Sequence, residues 1–164
     1  MDYRKEYEKW LASPALSEDE RAELRALEGN DKEIKARFYG PLEFGTAGLR
    51  GTMYTGLHNM NRHVIRWATQ GFANVIRAEG TEAMQKGIAV CMDCRNHSAE
   101  FARETACVMA ANGIHVRLFE SLRPTPELSF AVREYGCQAG VNVTASHNPK
   151  EYNGYKVYWA DGAQ

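Results

Sequence analysis

The 164-residue sequence has no long hydrophobic run. Nothing in it approaches the roughly 20 apolar residues that a membrane-spanning helix needs. The opening MDYRKEYEKW is charged throughout, so it is neither the apolar core of a signal peptide nor an anchor. An excess of one charge is lacking as well, because 20 Lys and Arg stand against 21 Asp and Glu for a net charge of −1. That balance leaves no footprint for nucleic acid or an anionic membrane. Cysteines are few: Cys91, Cys94, Cys107 and Cys137. Without a secretory signal they read as reduced thiols, which places the protein in the cytoplasm. The G-x-S-x-G elbow of serine hydrolases is absent, as are internal repeats and low-complexity segments. What is there, 44% apolar and 25% charged residues, is ordinary for a soluble globular chain with one real core.

Periodicity organises the rest. Tyr3, Tyr7, Trp10 and Leu11 share one helical face, and Ser17 with Glu20 forms a capping box that restarts a helix ending at Gly29. Residues 1–35 read as a helical extension, and residues 36–164 as the main domain. FYGPLEFGTAGLRGTMYTG, with its many glycines, reads as loop. After Asn61 a helix resumes through Val64, Ile65, Ala68, Phe72, Val75 and Ile76. From there strands at 87–93, 114–120 and 139–146 alternate with two helices, the first capped by Ser98 and the second opening at Pro126. Strand–helix–strand order implies right-handed crossovers and parallel pairing. The final segment at 154–160 follows a connection too short for another crossover, so it runs antiparallel. The expected fold is a three-layer α/β/α sandwich around a four-stranded, mixed, mostly parallel sheet.

In such sheets ligands gather beyond the carboxyl ends of the parallel strands. One of the loops there is TASHNPKEYNGYKVYW, residues 144–159. Asn148-Pro149 and Asn153-Gly154 are turn formers, which holds Ser146 on a tight loop rich in backbone N–H groups. Such arrays hold anions, and Lys150 and Lys156 add positive charge. A serine hydroxyl in that setting suits phosphate handling, because a phosphoserine carries about −1.5 to −2 charge near neutral pH. A plain turn between strands would give the same local pattern, with Lys156 a solvated strand lysine and Arg50 and Arg95 surface ion-pair partners.

The serine loop resembles the phosphoserine loop of the α-D-phosphohexomutases, the phosphoglucomutases and phosphomannomutases. FGTAGLRG (44–51), DCRNHS (93–98) and RPTP (123–126) resemble three further motifs of that family, in the family's order. The helical start and the wording of the serine loop are most similar to the phosphoglucomutase-2 and phosphopentomutase-like branch. The resemblance implies the first domain of a phosphosugar mutase. Ser146 would carry a phosphoryl group and exchange it with a sugar phosphate through a bisphosphorylated intermediate, moving phosphate between O1 and O6 of a hexose or O1 and O5 of a pentose. Arg50 and Lys156 would stabilise the charge in transfer, with Lys156 and His147 as proton carriers. Thr46, Asn148 and Arg95 would contact phosphate or shape its site. Mg²⁺ would sit on the serine phosphate, and a hexose 1,6-bisphosphate would serve as activator.

The family's Asp-x-Asp-x-Asp-Arg metal loop has no counterpart here, since aspartates occur only at 2, 19, 31, 93 and 161. The chain therefore reads as one domain of a larger enzyme, whose remaining domains would be its partners, and as inactive by itself. Two other readings compete. A non-catalytic module would keep the anion-binding loop and bind sugar phosphates, or would bind a protein through the helical arm. A redox protein would use the Cys91–Cys94 pair in CMDC, although Cys91 falls inside a strand and Asp93 beside Cys94 disfavours a thiolate.

Overall fold

The computed structural model describes residues 1–45 and 48–164. Three short helices come first: α1 (Tyr3–Leu11), α2 (Glu18–Arg25) and α3 (Asp31–Phe38). Each start is capped by a side chain that satisfies otherwise orphaned N–H groups. Asp2 accepts from the N–H of Arg4 and Lys5, and Asn30 from that of Glu33. Ser17 and Glu20 close the expected capping box.

These helices bury Leu16, Leu24, Leu27, Ile34 and Phe38 against Leu57, a small core separate from that of the sheet. Tyr7 and Trp10 meet the Phe38 ring edge-on at 5.6 and 5.7 Å. Leu24 and Phe38 are fully enclosed, which contributes about 1.5–3 kcal/mol each. Helix α3 runs across residue 35, where the extension was expected to end.

Two carboxylates tie the extension to the body. Glu23 accepts from the Thr55 N–H at 3.2 Å, from its hydroxyl and from Arg37. Glu20 accepts from Arg62 at 2.6 Å and lies 3.1 Å from His63 Nε2. Burial opposes ionisation of Glu20, yet Ser17, His63 and Arg62 together hold its carboxyl below the ordinary value. Burial foremost, with the Arg62 charge, holds His63 below its own ordinary value despite the pull of Glu20. Both groups take up protons more readily in the unfolded chain. Their stabilisation is complete above about pH 6.5 and is lost as pH falls, first through the imidazole and then through the carboxyl. Glu20→Gln is expected to lower stability by about 1–2 kcal/mol near neutrality and to flatten the acid side of a melting-temperature profile; an unchanged slope would contradict this.

The main domain opens with β1 (Leu49–Thr52), followed by α4 (Arg62–Ala78), α5 (Thr81–Lys86), β2 (Ile88–Met92), α6 (Ser98–Ala111), β3 (Val116–Leu118), α7 (Thr125–Glu134), β4 (Ala139–Val143) and β5 (Tyr152–Trp159). The sheet order is β1-β5-β4-β2-β3. Strands β4, β2 and β3 are parallel, while β5 runs antiparallel to both β4 and β1. Helices α4 and α6 cover one face, around Ile65, Ile76, Phe101, Met109 and Tyr155. Helix α7 covers the other through Leu128 and Val132.

The α/β/α expectation holds, with corrections. The sheet has five strands, not four, because Leu49–Thr52 pairs with β5. Its glycines masked a strand whose backbone bonds to a segment about a hundred residues later. Asn153-Gly154 is no turn: both residues lie inside β5, opposite Gly51 and Arg50. Ser98 does not cap α6. The cap position is His97, in the left-handed region at φ 61°, and the Ser98 hydroxyl instead donates to Asp93 at 2.8 Å. No helix among the described residues is long and apolar enough to cross a membrane.

Candidate active site

The serine loop joins β4 to β5. Ser146 is exposed, directly after the fully buried Ala145. Its φ is 57°, left-handed for a residue with a Cβ. That conformation costs about 1–2 kcal/mol and persists because neighbours hold it. The Thr144 hydroxyl accepts from the Ser146 N–H at 2.9 Å, and the Asn148 N–H donates back to the Ala145 carbonyl at 3.1 Å. The serine hydroxyl points to solvent within 3.3 Å of His147 Nδ1.

Arg50, on β1, reaches this loop and donates to Asn148 Oδ1 at 3.1 Å. Arg50 faces Gly154 across the β1–β5 ladder, which puts it on the same sheet face as Lys156, two residues on. Lys156 in turn faces Asn142, which faces Cys91, so a polar row crosses the sheet beside the patch covered by α7. Lys156 is only 8% exposed and has no hydrogen-bond partner among the described residues. Burial, and then the Arg50 charge, push its ammonium below the ordinary value. Arg50 Nε and Asn142 Oδ1 are likewise buried without partners among the described residues. Unpartnered buried polar atoms are costly, and here two of them sit on β1 and β4, the strands on either side of Lys156. Asn142 was not singled out in the sequence, although a polar residue in the otherwise apolar AGVNV was its signal.

Arg95 has a different task. It lies on the loop from β2 to α6, and its guanidinium donates to the carbonyls of Ser146, Asn148, Pro149 and Tyr152 at 2.6–2.9 Å. Asp93 Oδ2 lies 3.4 Å from its Nε. The group is therefore committed to the serine-loop backbone and not turned toward a ligand. Asn153 adds a second tie, donating to the Asn96 carbonyl at 2.9 Å and to the Ser98 hydroxyl at 3.0 Å. The described non-glycine residues with positive φ, His97 and Ser146, sit on the two loops that these ties join.

The structure thus brings Ser146, His147, Asn148, Arg50 and Arg95 into one hydrogen-bonded cluster, with Lys156 beside Arg50. Thr46 lies outside the described residues. Among those residues no group of three His, Cys, Asp or Glu side chains is placed to hold a metal. Cys91 is buried in β2 and its thiol is pushed up to about 11 by that burial. A thiol of that kind does not supply the thiolate that dithiol redox chemistry needs.

The family model for the phosphoglucomutase/phosphomannomutase alpha/beta/alpha domain I matches residues 41–164. Similar curated proteins include a phosphopentomutase of Homo sapiens, 44% identical over 143 residues, which are 84% of this chain and 23% of that protein. A phosphoglucomutase of Staphylococcus aureus (strain USA300) is 43% identical over 135 residues, 82% of this chain and 24% of that protein. Among solved structures, a Thermus thermophilus protein described as a phosphomannomutase superposes with TM-score 0.67 at 32% identity, covering 75% of this chain and 26% of its own. A phosphoglucomutase/phosphomannomutase family protein of Burkholderia thailandensis gives TM-score 0.61 at 26% identity, covering 72% and 26%. The chain spans about a quarter of the length of the curated relatives it matches. A serine-bearing loop at the rim of an α/β/α sheet, and the match across most of the chain, lead to one assignment: this chain belongs to the phosphoglucomutase/phosphomannomutase family and carries its domain I.

Proposed function

We propose that this domain is the phosphoryl-carrying part of a phosphosugar mutase, with the Ser146 hydroxyl as the carrier. The observation that supports this reading most is the exposed Ser146 Oγ, held in a left-handed turn beside the Arg50–Asn148 contact. In the forward step a hydroxyl of a sugar phosphate attacks the phosphorus on Ser146. The Oγ–P bond breaks and a bisphosphorylated sugar forms. In the return step Ser146 Oγ attacks the other phosphate of that sugar and regains a phosphoryl group. Such transfers rest mainly on positioning and charge stabilisation. Arg50 and the poorly solvated Lys156 supply positive charge at the loop, and the depressed basicity of Lys156 suits proton exchange with the sugar hydroxyl. His147, within reach of Ser146 Oγ, is a second proton carrier.

A divalent ion such as Mg²⁺ fits only in part. A phosphorylated Ser146 would give it one hard oxygen ligand. Asp93 is already engaged with Arg95 and Ser98, so further carboxylates would come from elsewhere in the parent protein. When bound, the ion would offset charge on the transferring group. Both hexose and pentose phosphates remain within the reading, since relatives are named for each. A hexose 1,6-bisphosphate is the proposed activator, and the reduced cytoplasm the proposed location.

The test is intact-mass analysis after incubation with a hexose 1,6-bisphosphate. The chain is expected to gain one phosphoryl group at Ser146, with no gain in Ser146→Ala and no multiple turnover by the chain alone. Labelling elsewhere, or none on the native chain, would favour a non-catalytic sugar-phosphate binder.

A further inference from the structure

We propose that Asn142 is a positioning residue for Lys156, its side-chain oxygen being the acceptor on which the ammonium group rests between phosphoryl transfers. This deepens the carrier reading above and rests on it. Asn142 stands directly opposite Lys156 in the β4–β5 ladder. Side chains opposed in this way rise from one face of the sheet, with Cβ atoms about 4.5–5.5 Å apart. Asn142 is 1% exposed, in a strand that is otherwise alanine, glycine and valine. An apolar side chain would fill that position without the cost of burying an amide.

The amide is held at one end only. Its Nδ2 donates to the hydroxyl of Thr125, at the start of α7, at 2.8 Å. That bond leaves Oδ1 buried and without a donor among the described residues. Of its two neighbours in the row, Cys91 has an acceptor elsewhere, the Arg123 carbonyl 3.4 Å from its sulfur. Lys156 is the other neighbour, largely buried and with no acceptor among the described residues. Its ammonium carries three protons on a flexible four-carbon stem. An acceptor without a donor thus faces a donor without an acceptor, and rotation of the lysine stem brings them together.

The surrounding charges leave this task to the amide. Strand β4 itself carries none. Arg50 on β1 repels the ammonium. At the start of α7, Arg123 and Glu127 pair with each other at 3.0 Å. On the serine loop, Lys150 is exposed and His147 lies 3.3 Å from Ser146 Oγ. Asp93 is taken by Arg95 and Ser98. A neutral amide oxygen also holds a cation less tightly than a carboxylate does, so it releases the ammonium to a phosphoryl group.

Two measurements test the contact and the carrier reading separately. NMR titration of the Lys156 ammonium needs no phosphate. Asn142→Leu is expected to lower its basicity about tenfold, and Asn142→Asp to raise it. The second measurement is phosphate uptake from a hexose 1,6-bisphosphate. Asn142→Leu is expected to slow uptake about tenfold and to bring its alkaline limb down by about one pH unit. The melting temperature is expected to hold or rise, because the orphaned oxygen is gone. In a Lys156→Met chain, adding Asn142→Leu is expected to slow uptake no further. An unmoved titration, or losses that add in the double variant, would overturn the proposal while leaving the carrier reading intact. A moved titration in a native chain that takes up no phosphate would overturn the carrier reading, and the resting role with it.

Discussion

Arg95→Ala is expected to destabilise the chain by about 3 kcal/mol and to slow phosphorylation of Ser146 about a hundredfold. The side chain is 12% exposed, and its guanidinium bridges two loops that nothing in the local sequence would hold together. Removing it frees four serine-loop carbonyls and leaves the Asp93 carboxylate, itself about a quarter exposed, without its cation. The left-handed turn at Ser146 then loses the guanidinium that holds its carbonyl. Lysine is a poor replacement, since a compact ammonium cannot reach four divergent carbonyls with three protons. Arg95→Lys is therefore expected to recover less than half of either loss. Urea unfolding and the rate of phosphate uptake, measured together, separate this account from a direct phosphate contact. A direct contact would slow uptake at unchanged stability.

Gly154→Ala is expected to cost about 3 kcal/mol as well, for a steric reason. The position needs space, and its φ is unexceptional. A Cβ there would lie 2.5 Å from the Thr144 carbonyl oxygen and 2.9 Å from that of Leu49. Both obstacles are backbone, one at the root of the serine loop and one in β1, so neither yields as a side-chain tip would. Strand β5 would have to move from both neighbours at once, and Arg50 would lose its reach to Asn148. The expected readout is a lower urea midpoint at unchanged slope, with loss of phosphate uptake. Gly71→Ala, in open space on α4, is expected to stabilise the isolated chain by about 1 kcal/mol. Equal effects at the two glycines would contradict this spatial reading.

The legible parts of the fold were those governed by neighbours in sequence. Asn61 caps α4, and Ser17 with Glu20 closes its box, because capping involves residues only a few positions apart. Strands β2 and β4 stand out as short apolar runs because both faces of each are buried. Strand β1 was not legible. Leu-Arg-Gly-Thr has weak strand character, and its order comes from the ladder with β5. The same holds for Asn153-Gly154, whose turn preference is overridden by partners on both sides of β5.

For the site, the residue types were legible and their division of labour was not. A serine, a histidine and an asparagine on one loop, with basic residues in three other segments, already pointed to phosphate. Sequence alone determined this list, the layered α/β class and the resemblance of its motifs to a known family. Tertiary structure decided that Arg95 is committed to the loop backbone, that Arg50 reaches Asn148 from 98 residues away, and that Lys156 is buried in a row with Asn142. The physical reason is that periodicity and capping report only on the few residues nearest in the chain. Which strands lie side by side, and so which charges lose their water, depends on how distant segments share one sheet.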